Sequence, residues 1–64
     1  MNRKELKKIA LEIAKIERRL NKSTTEDQKK QYENEIVQQM RGLSIEDLIA
    51  IDEIIQTKYR RILD

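Results

Sequence analysis

Apolar side chains recur every three or four residues along almost the whole chain, and only residues 21–25 and 42–44 interrupt the pattern. This spacing is typical of amphipathic α-helices, whereas the alternation of a β-strand is almost absent. We therefore expect an all-α fold in a single domain over residues 1–64. The predicted architecture is a small three-helix bundle with helices over about residues 3–20, 25–41 and 44–63.

Residues that stabilise helix ends stand at each predicted boundary. A side-chain acceptor followed three residues later by an acidic residue is typical of a capping box. The candidates are Asn2 with Glu5, Ser44 with Asp47, and for the second helix either Ser23 with Glu26 or Thr24 with Asp27. Gly42 follows the second helix, where a left-handed C-terminal cap is favoured. The boundaries and the periodicity thus predict the same three helices.

Each predicted helix has an apolar face that we expect to enter a common core. In the first helix this face is the seam Leu6, Ile9, Ile13, Ile16 and Leu20. In the second it is the narrow stripe Tyr32, Ile36, Val37 and Met40. In the third it is a face about 80° wide, formed by Leu48, Ile51, Ile55, Tyr59 and Ile62.

The third helix is more apolar than one core-facing stripe requires. Four further residues widen its apolar arc to roughly 220°, although a helix at the edge of a bundle needs little more than about 100°. They are Ile45, Ile49, Ile54 and Leu63. We expect this helix to lie between the other two and to contact another chain through these four residues. The alternative is that some of them are exposed singly, as scattered surface residues often are.

The small size of the chain also favours self-association. Surface scaling gives about 4,300 Å² for the folded and about 11,000 Å² for the unfolded chain. At that burial, the apolar gain is roughly equal to the entropic cost of ordering 64 residues. Without Cys or His, neither a disulfide nor a zinc site can add stability. We expect a homo-oligomer, with a dimer favoured.

Positive charge is concentrated in the first helix, although the chain carries 14 basic and 12 acidic residues. Residues 1–22 hold 8 basic and 3 acidic side chains, a net charge of +5. Because the whole chain has a net charge of +2, residues 23–64 carry −3. The cations project onto one face about 160° wide. Candidate contacts to phosphates or an acidic partner are Lys4, Lys7, Lys8, Lys15, Arg18, Arg19 and Lys22, joined by Arg3. Leu11 lies within this face and is assigned to the partner interface.

Three kinds of anionic partner fit such a face: nucleic acid, an acidic protein surface, or an anionic membrane. The alternative is a solvated face without a partner. The chain has no Trp or Phe, which argues against an interfacial membrane helix and a stacking platform for single strands. No segment approaches the roughly 20 apolar residues of a membrane span. We expect a cytoplasmic protein, with nucleic acid as the less favoured partner.

Residues suited to catalysis are scarce. The two serines are explained as helix caps, and the adjacent Asp52 and Glu53 point about 100° apart on a helix. No carboxylate spacing matches a calcium loop. We expect no enzymatic activity, no cofactor and no metal site. The sequence instead favours a small protein-interaction module that acts by docking on an unknown protein partner and on itself.

The segment 42–44, followed by Ile45 and Leu48, resembles the helix-turn-helix of small DNA-binding repressors over about 20 residues. That family would place the third helix in the major groove. Gln38 stands where the pattern has a small residue, and Glu46 and Asp47 would face the phosphates. The sequence therefore favours a Schellman-type cap joined to a capping box over a DNA-reading turn.

Overall fold

A computed structural model of the chain describes residues 2–63, and the side chains of residues 2–62. It contains four helices: α1 (Arg3–Lys22), α2 (Glu26–Met40), α3 (Ile45–Lys58) and the short α4 (Arg60–Leu63). No strand occurs in residues 2–63. The predicted all-α bundle of three substantial helices is confirmed, and α4 is an addition to it.

Two of the predicted N-terminal caps are confirmed. The Asn2 side chain accepts a hydrogen bond from the Glu5 backbone N–H at 2.9 Å. The Ser44 hydroxyl accepts one from the Asp47 N–H at 3.1 Å. Each cap satisfies a backbone donor that the first turn of a helix leaves unpaired.

The predicted caps of the second helix are wrong by one or two residues. Thr25 caps α2, and its hydroxyl accepts from the Gln28 N–H at 3.2 Å. Ser23 instead ends α1, because its hydroxyl donates to the Leu20 carbonyl at 2.6 Å. Three consecutive hydroxyl residues offer three possible caps, and the structure uses the last of them.

The connection from α2 to α3 is a type II turn and not the Schellman-type cap that we predicted. Arg41 has φ −64° and ψ 130°, and Gly42 follows with φ 81°. The Leu43 N–H donates to the Met40 carbonyl at 3.2 Å, which closes the turn. The third position of a type II turn requires positive φ and therefore favours glycine. The predicted left-handed Gly42 is confirmed in this different hydrogen-bond pattern.

The central helix is α1, which corrects the prediction that the third helix lies between the other two. α1 packs against α2, α3 and α4, whereas α2 packs almost entirely on α1. The molecule is consequently a flat layer, with Cα extents of 36 × 25 × 14 Å. Because α2 and α3 lie on separate flanks of α1, they do not form the paired unit of a helix-turn-helix.

The core is built mainly from α1. Its buried side chains in the described part of the chain are Leu6, Ala10, Ile13, Ala14 and Ile16, to which α3 adds Ile51 and Ile55. Ala10 and Ala14 are completely buried and were not among the predicted seam residues. Their small side chains extend the buried arc of α1 toward α3, and this second flank is what makes α1 central.

α2 lies on the core without entering it. Within Glu26–Met40 no side chain is buried, and Ile36 and Met40 pack against the core from the side. Val37 is 59% exposed, so its predicted place in the core stripe is wrong. Because α2 contacts almost only α1, the covered part of its surface is narrower than the predicted apolar stripe.

The third predicted helix ends at Lys58, and α4 is separate from it. Tyr59 leaves helical geometry with φ −115° and ψ 13°. The Thr57 hydroxyl donates to the Glu53 carbonyl at 2.8 Å, a back-bond of the kind that bends helices. The bend allows α4 to pack on α1, with Tyr59 and Ile62 against the core.

Candidate docking surfaces

The outer side of α3 presents two isoleucines whose side chains are mostly exposed. Ile45 is 76% and Ile49 is 55% exposed. They are four residues apart and therefore neighbours on one helix face. The buried Ile51 and Ile55 lie on the side of α3 that packs on α1. We call Ile45 and Ile49 the isoleucine ridge.

Carboxylates surround the isoleucine ridge. Glu46 precedes Ile49 by three residues, and Asp52 and Glu53 follow it by three and four. Residues at these separations are surface neighbours on a helix. All three carboxylate side chains are exposed. Asp52 lies within electrostatic reach of Glu17 on α1, and Glu53 lines a cleft that also holds Arg3. The isoleucine ridge therefore has acidic borders, two of which adjoin α1.

The other predicted partner residues do not extend this ridge. Ile54 is half-buried and packs against the core, so only part of its side chain is open to a partner. It faces α1, where it lines a shallow cleft with Arg3 and Leu6. Leu11 is half-buried on α1, between Lys7 and Lys15 at a spacing of four residues. The Leu63 side chain lies outside the described residues.

The predicted basic face of α1 is open to solvent. Among its candidate contact residues, Lys7 is half-buried, and those whose side chains are exposed are Lys4, Lys8, Lys15, Arg18, Arg19 and Lys22. Two of the cations also adjoin neighbouring helices, since Arg19 lines a cleft between α1 and α2, and Lys7 lies against Lys58 of α3.

A groove at the carboxyl-terminal half of α1 combines this charge with an apolar side chain. It is open, has a volume of about 400 Å³, and is lined by Lys15, Arg18, Arg19, Lys22 and Ile62. The long stems of lysine and arginine add apolar surface beneath their charged ends. We call this the basic groove. The sequence did not indicate it, because Ile62 reaches α1 only through the bend at Tyr59.

A second cationic cluster lies where α3 ends against α1. The Lys58 and Lys7 side chains lie against each other, and the pKa of Lys58 is lowered because only its neutral amine can accept a hydrogen bond from the Lys7 ammonium. The positive charge of Lys7, the slight desolvation of the site and the charge of Arg3 act in the same direction. The basic face of α1 thus continues onto the end of α3.

Two carboxylates sit in less favourable surroundings. Partial burial raises the pKa of Glu17, and the negative charge of Asp52 on α3 adds to the effect. Glu35 lines a cleft between α1 and α2, and its Oε2 is buried without a hydrogen-bond partner. The cleft also holds Glu12 and Arg19. We assign these groups no chemical role.

Residues 2–63 contain no cluster of three metal-ligating side chains, and none of their helices has the length and hydropathy that a bilayer crossing needs. Comparison of the chain with protein-family models, with curated proteins and with solved structures returned no match. The surfaces that bear on function are therefore the isoleucine ridge and the basic groove.

Proposed function

We propose that this chain is a small, non-enzymatic, cytoplasmic interaction module that acts by docking and self-association as an accessory or regulatory factor. The smallest assembly we propose is a homodimer. The observation that carries the proposal is the exposure of Ile45 and Ile49, at 76% and 55%, on the outer side of α3. Two adjacent isoleucines on one face are favourable to bury in an interface, at about 1.5–3 kcal/mol for each fully buried side chain.

The surface of the whole molecule supports the same proposal. The accessible area is 5086 Å². A compact monomer of this mass has about 4,300 Å², so the flat layer exposes roughly 750 Å² more. A stable interface of standard size buries about 800 Å² on each partner. One self-association contact would cover an area comparable to this excess.

Sedimentation equilibrium from low to high micromolar concentration tests the proposal. We expect the weight-average mass to rise above the 7.7 kDa of one chain. Ile49→Lys should abolish the rise, while Val37→Lys, at a comparably exposed position on α2, should leave it unchanged. A fully helical wild-type monomer at high micromolar concentration would contradict self-association.

A second candidate function is binding to nucleic acid through the basic face of α1. It is favoured by the contact between Lys7 and Lys58, because a cluster of cations is relieved by a polyanion. Fluorescence anisotropy with labelled duplex and single-stranded DNA or RNA, across a range of salt, tests it. Binding must weaken with salt, and Lys15→Glu with Lys22→Glu should flatten the salt dependence, since each lost phosphate contact removes about one released counterion.

A further inference from the structure

We propose that the isoleucine ridge of one copy docks into the basic groove of a second copy, in a head-to-tail contact. This inference rests on the proposed self-association and names the two surfaces that meet. The ridge is Ile45 and Ile49 of α3, and the groove is lined by α1 and by Ile62 of α4.

The two surfaces are complementary in charge. Glu46, Asp52 and Glu53 border the ridge and are exposed. The groove is bordered by four cations: Lys15, Arg18, Arg19 and Lys22. Opposite potentials across an interface steer encounter and exclude wrong pairings. A second copy of the chain therefore presents the charge pattern that the ridge requires.

The two surfaces are also complementary in polarity at their centres. The ridge is apolar between its carboxylates, and the groove is lined by Ile62 and by the aliphatic stems of its lysines and arginines. Docking would remove Ile45 and Ile49 from water and leave the charged groups at the rim. This arrangement of an apolar centre and a polar rim is typical of protein interfaces.

A symmetric contact of ridge against ridge is electrostatically unfavourable. In an isologous dimer the same patch meets itself, so the patch must be self-complementary. Around Ile49, the carboxylates at positions −3, +3 and +4 would face the same carboxylates of the other copy. Like charges placed against each other across an interface disfavour the pairing. The head-to-tail contact replaces these repulsions with attractions.

The ridge and the groove share no residue, so one copy can use both at once. A heterologous contact of this kind adds copies in one direction, and the assembly either closes into a ring or extends. The dimer is then the first step of the assembly and not its limit.

Complementation between two variants tests the proposal. The ridge variant is Ile45→Ser with Ile49→Ser, and the groove variant is Lys15→Glu with Lys22→Glu. All four side chains are exposed, so neither variant removes a core contact. The matched controls lie on α2: Val37→Ser for apolar loss, and Lys29→Glu with Lys30→Glu for charge reversal. Nuclease-treated samples are compared by sedimentation velocity at low salt.

The expected result is that each variant alone is monomeric, with its association constant reduced at least about tenfold. An equimolar mixture should form a one-to-one complex that does not grow, because only one ridge and one intact groove remain. Both controls should assemble like the wild type. Raising salt from about 0.1 M to about 1 M shortens the Debye length from about 10 to about 3 Å and should weaken the assembly.

The contrary results are distinguishable. A groove variant that dimerises as well as the wild type, or a mixture that yields no complex, overturns the head-to-tail contact but leaves self-association standing. A wild-type chain that stays monomeric overturns self-association and this contact together. If that monomer retains labelled duplex in a salt-dependent manner, the basic groove serves nucleic acid instead.

Discussion

Ile13 of α1 and Ile51 of α3 are the two largest side chains in the described part of the chain that are closed off from solvent. Both belong to one core cluster, with Leu6, Ala10, Ala14 and Ile55. The fold therefore depends on the interface between α1 and α3 more than on any other. The stability effects of substitutions should divide along the same line.

Shortening Ile51 tests this division. Ile51→Val should lower the free energy of unfolding by about 0.5–1.5 kcal/mol, because the deleted methyl leaves a gap in a closed site. Ile45→Val makes the same chemical change at a position that is 76% exposed, and we expect almost no loss. Urea denaturation followed by circular dichroism, at a concentration where the chain is monomeric, measures both. Equal losses at the two positions would contradict the assignment of the core.

Enlarging Ala14 tests the approach of the helices to α1. Ala14 is 0% exposed, so a longer side chain has no open space to occupy. Ala14→Leu should destabilise the fold by about 1–3 kcal/mol through overpacking. The control is Gln31→Leu, at an exposed position on α2, where no neighbour must move. A stable Ala14→Leu variant with an unchanged circular dichroism spectrum would show that the helices are not closely packed around Ala14.

Gly42 carries a purely conformational constraint. A Cβ at this position would meet no heavy atom within 4 Å, but its φ is 81°. Gly42→Ala should therefore cost about 1–2 kcal/mol from the left-handed backbone alone. Gly42→Asn should cost less, because asparagine tolerates this region better. For a domain of this size the Ala variant should melt at least about 4 °C lower, and a melting temperature equal to the wild type would contradict the type II turn.

The pKa of Glu17 should respond to Asp52. Burial is the larger cause of its elevation, so Asp52→Asn should lower the pKa of Glu17 without restoring the usual 4.5. Carbon-detected NMR titration of the Glu17 carboxyl measures the shift. An unchanged pKa in Asp52→Asn would show that the two carboxylates do not interact.

The raised pKa of Glu17 also determines how the stability of the fold depends on pH. A carboxyl with a raised pKa in the folded state binds its proton more tightly there than in the unfolded chain. Folding is therefore disfavoured by ionised Glu17 at neutral pH, and this penalty disappears as the pH falls below about 4.5. Glu17→Gln should raise the melting temperature at pH 7 but not in acid. Glu33→Gln, at an exposed site on α2, is the control.

Much of the fold was predictable because local signals determine it. The caps at Asn2 and Ser44, the left-handed Gly42 and the buried Ile51 and Ile55 all follow from residue type and spacing. The central position of α1 was not predictable. It depends on Ala10 and Ala14, whose small side chains contribute little to an apolar pattern yet permit a second flank of contact.

The candidate surfaces divide in the same way. Ile45 and Ile49 follow from an apolar arc wider than one interface can cover, and they are exposed. Ile54 belongs to the same arc but lies nearer the core face, and the projection could not separate it from them. The basic groove depends on the bend at Tyr59, which places Ile62 beside the cations of α1. A change of roughly 50° in φ and ψ at a single residue has no clear signature in sequence.

The attachment of α2 by one flank has a consequence for how the chain opens. None of its side chains is buried, and it packs almost entirely on α1, so α2 can detach while α1 and α3 keep their shared core. Local opening of this kind has a lower free energy than global unfolding. In native-state hydrogen exchange, the amides of residues 30–40 should exchange as one group, ahead of those flanking Ile13 and Ile51. α2 is then a helix that can detach as a unit from the α1–α3 core. Its detachment exposes Ile16, Ile36 and Met40 together.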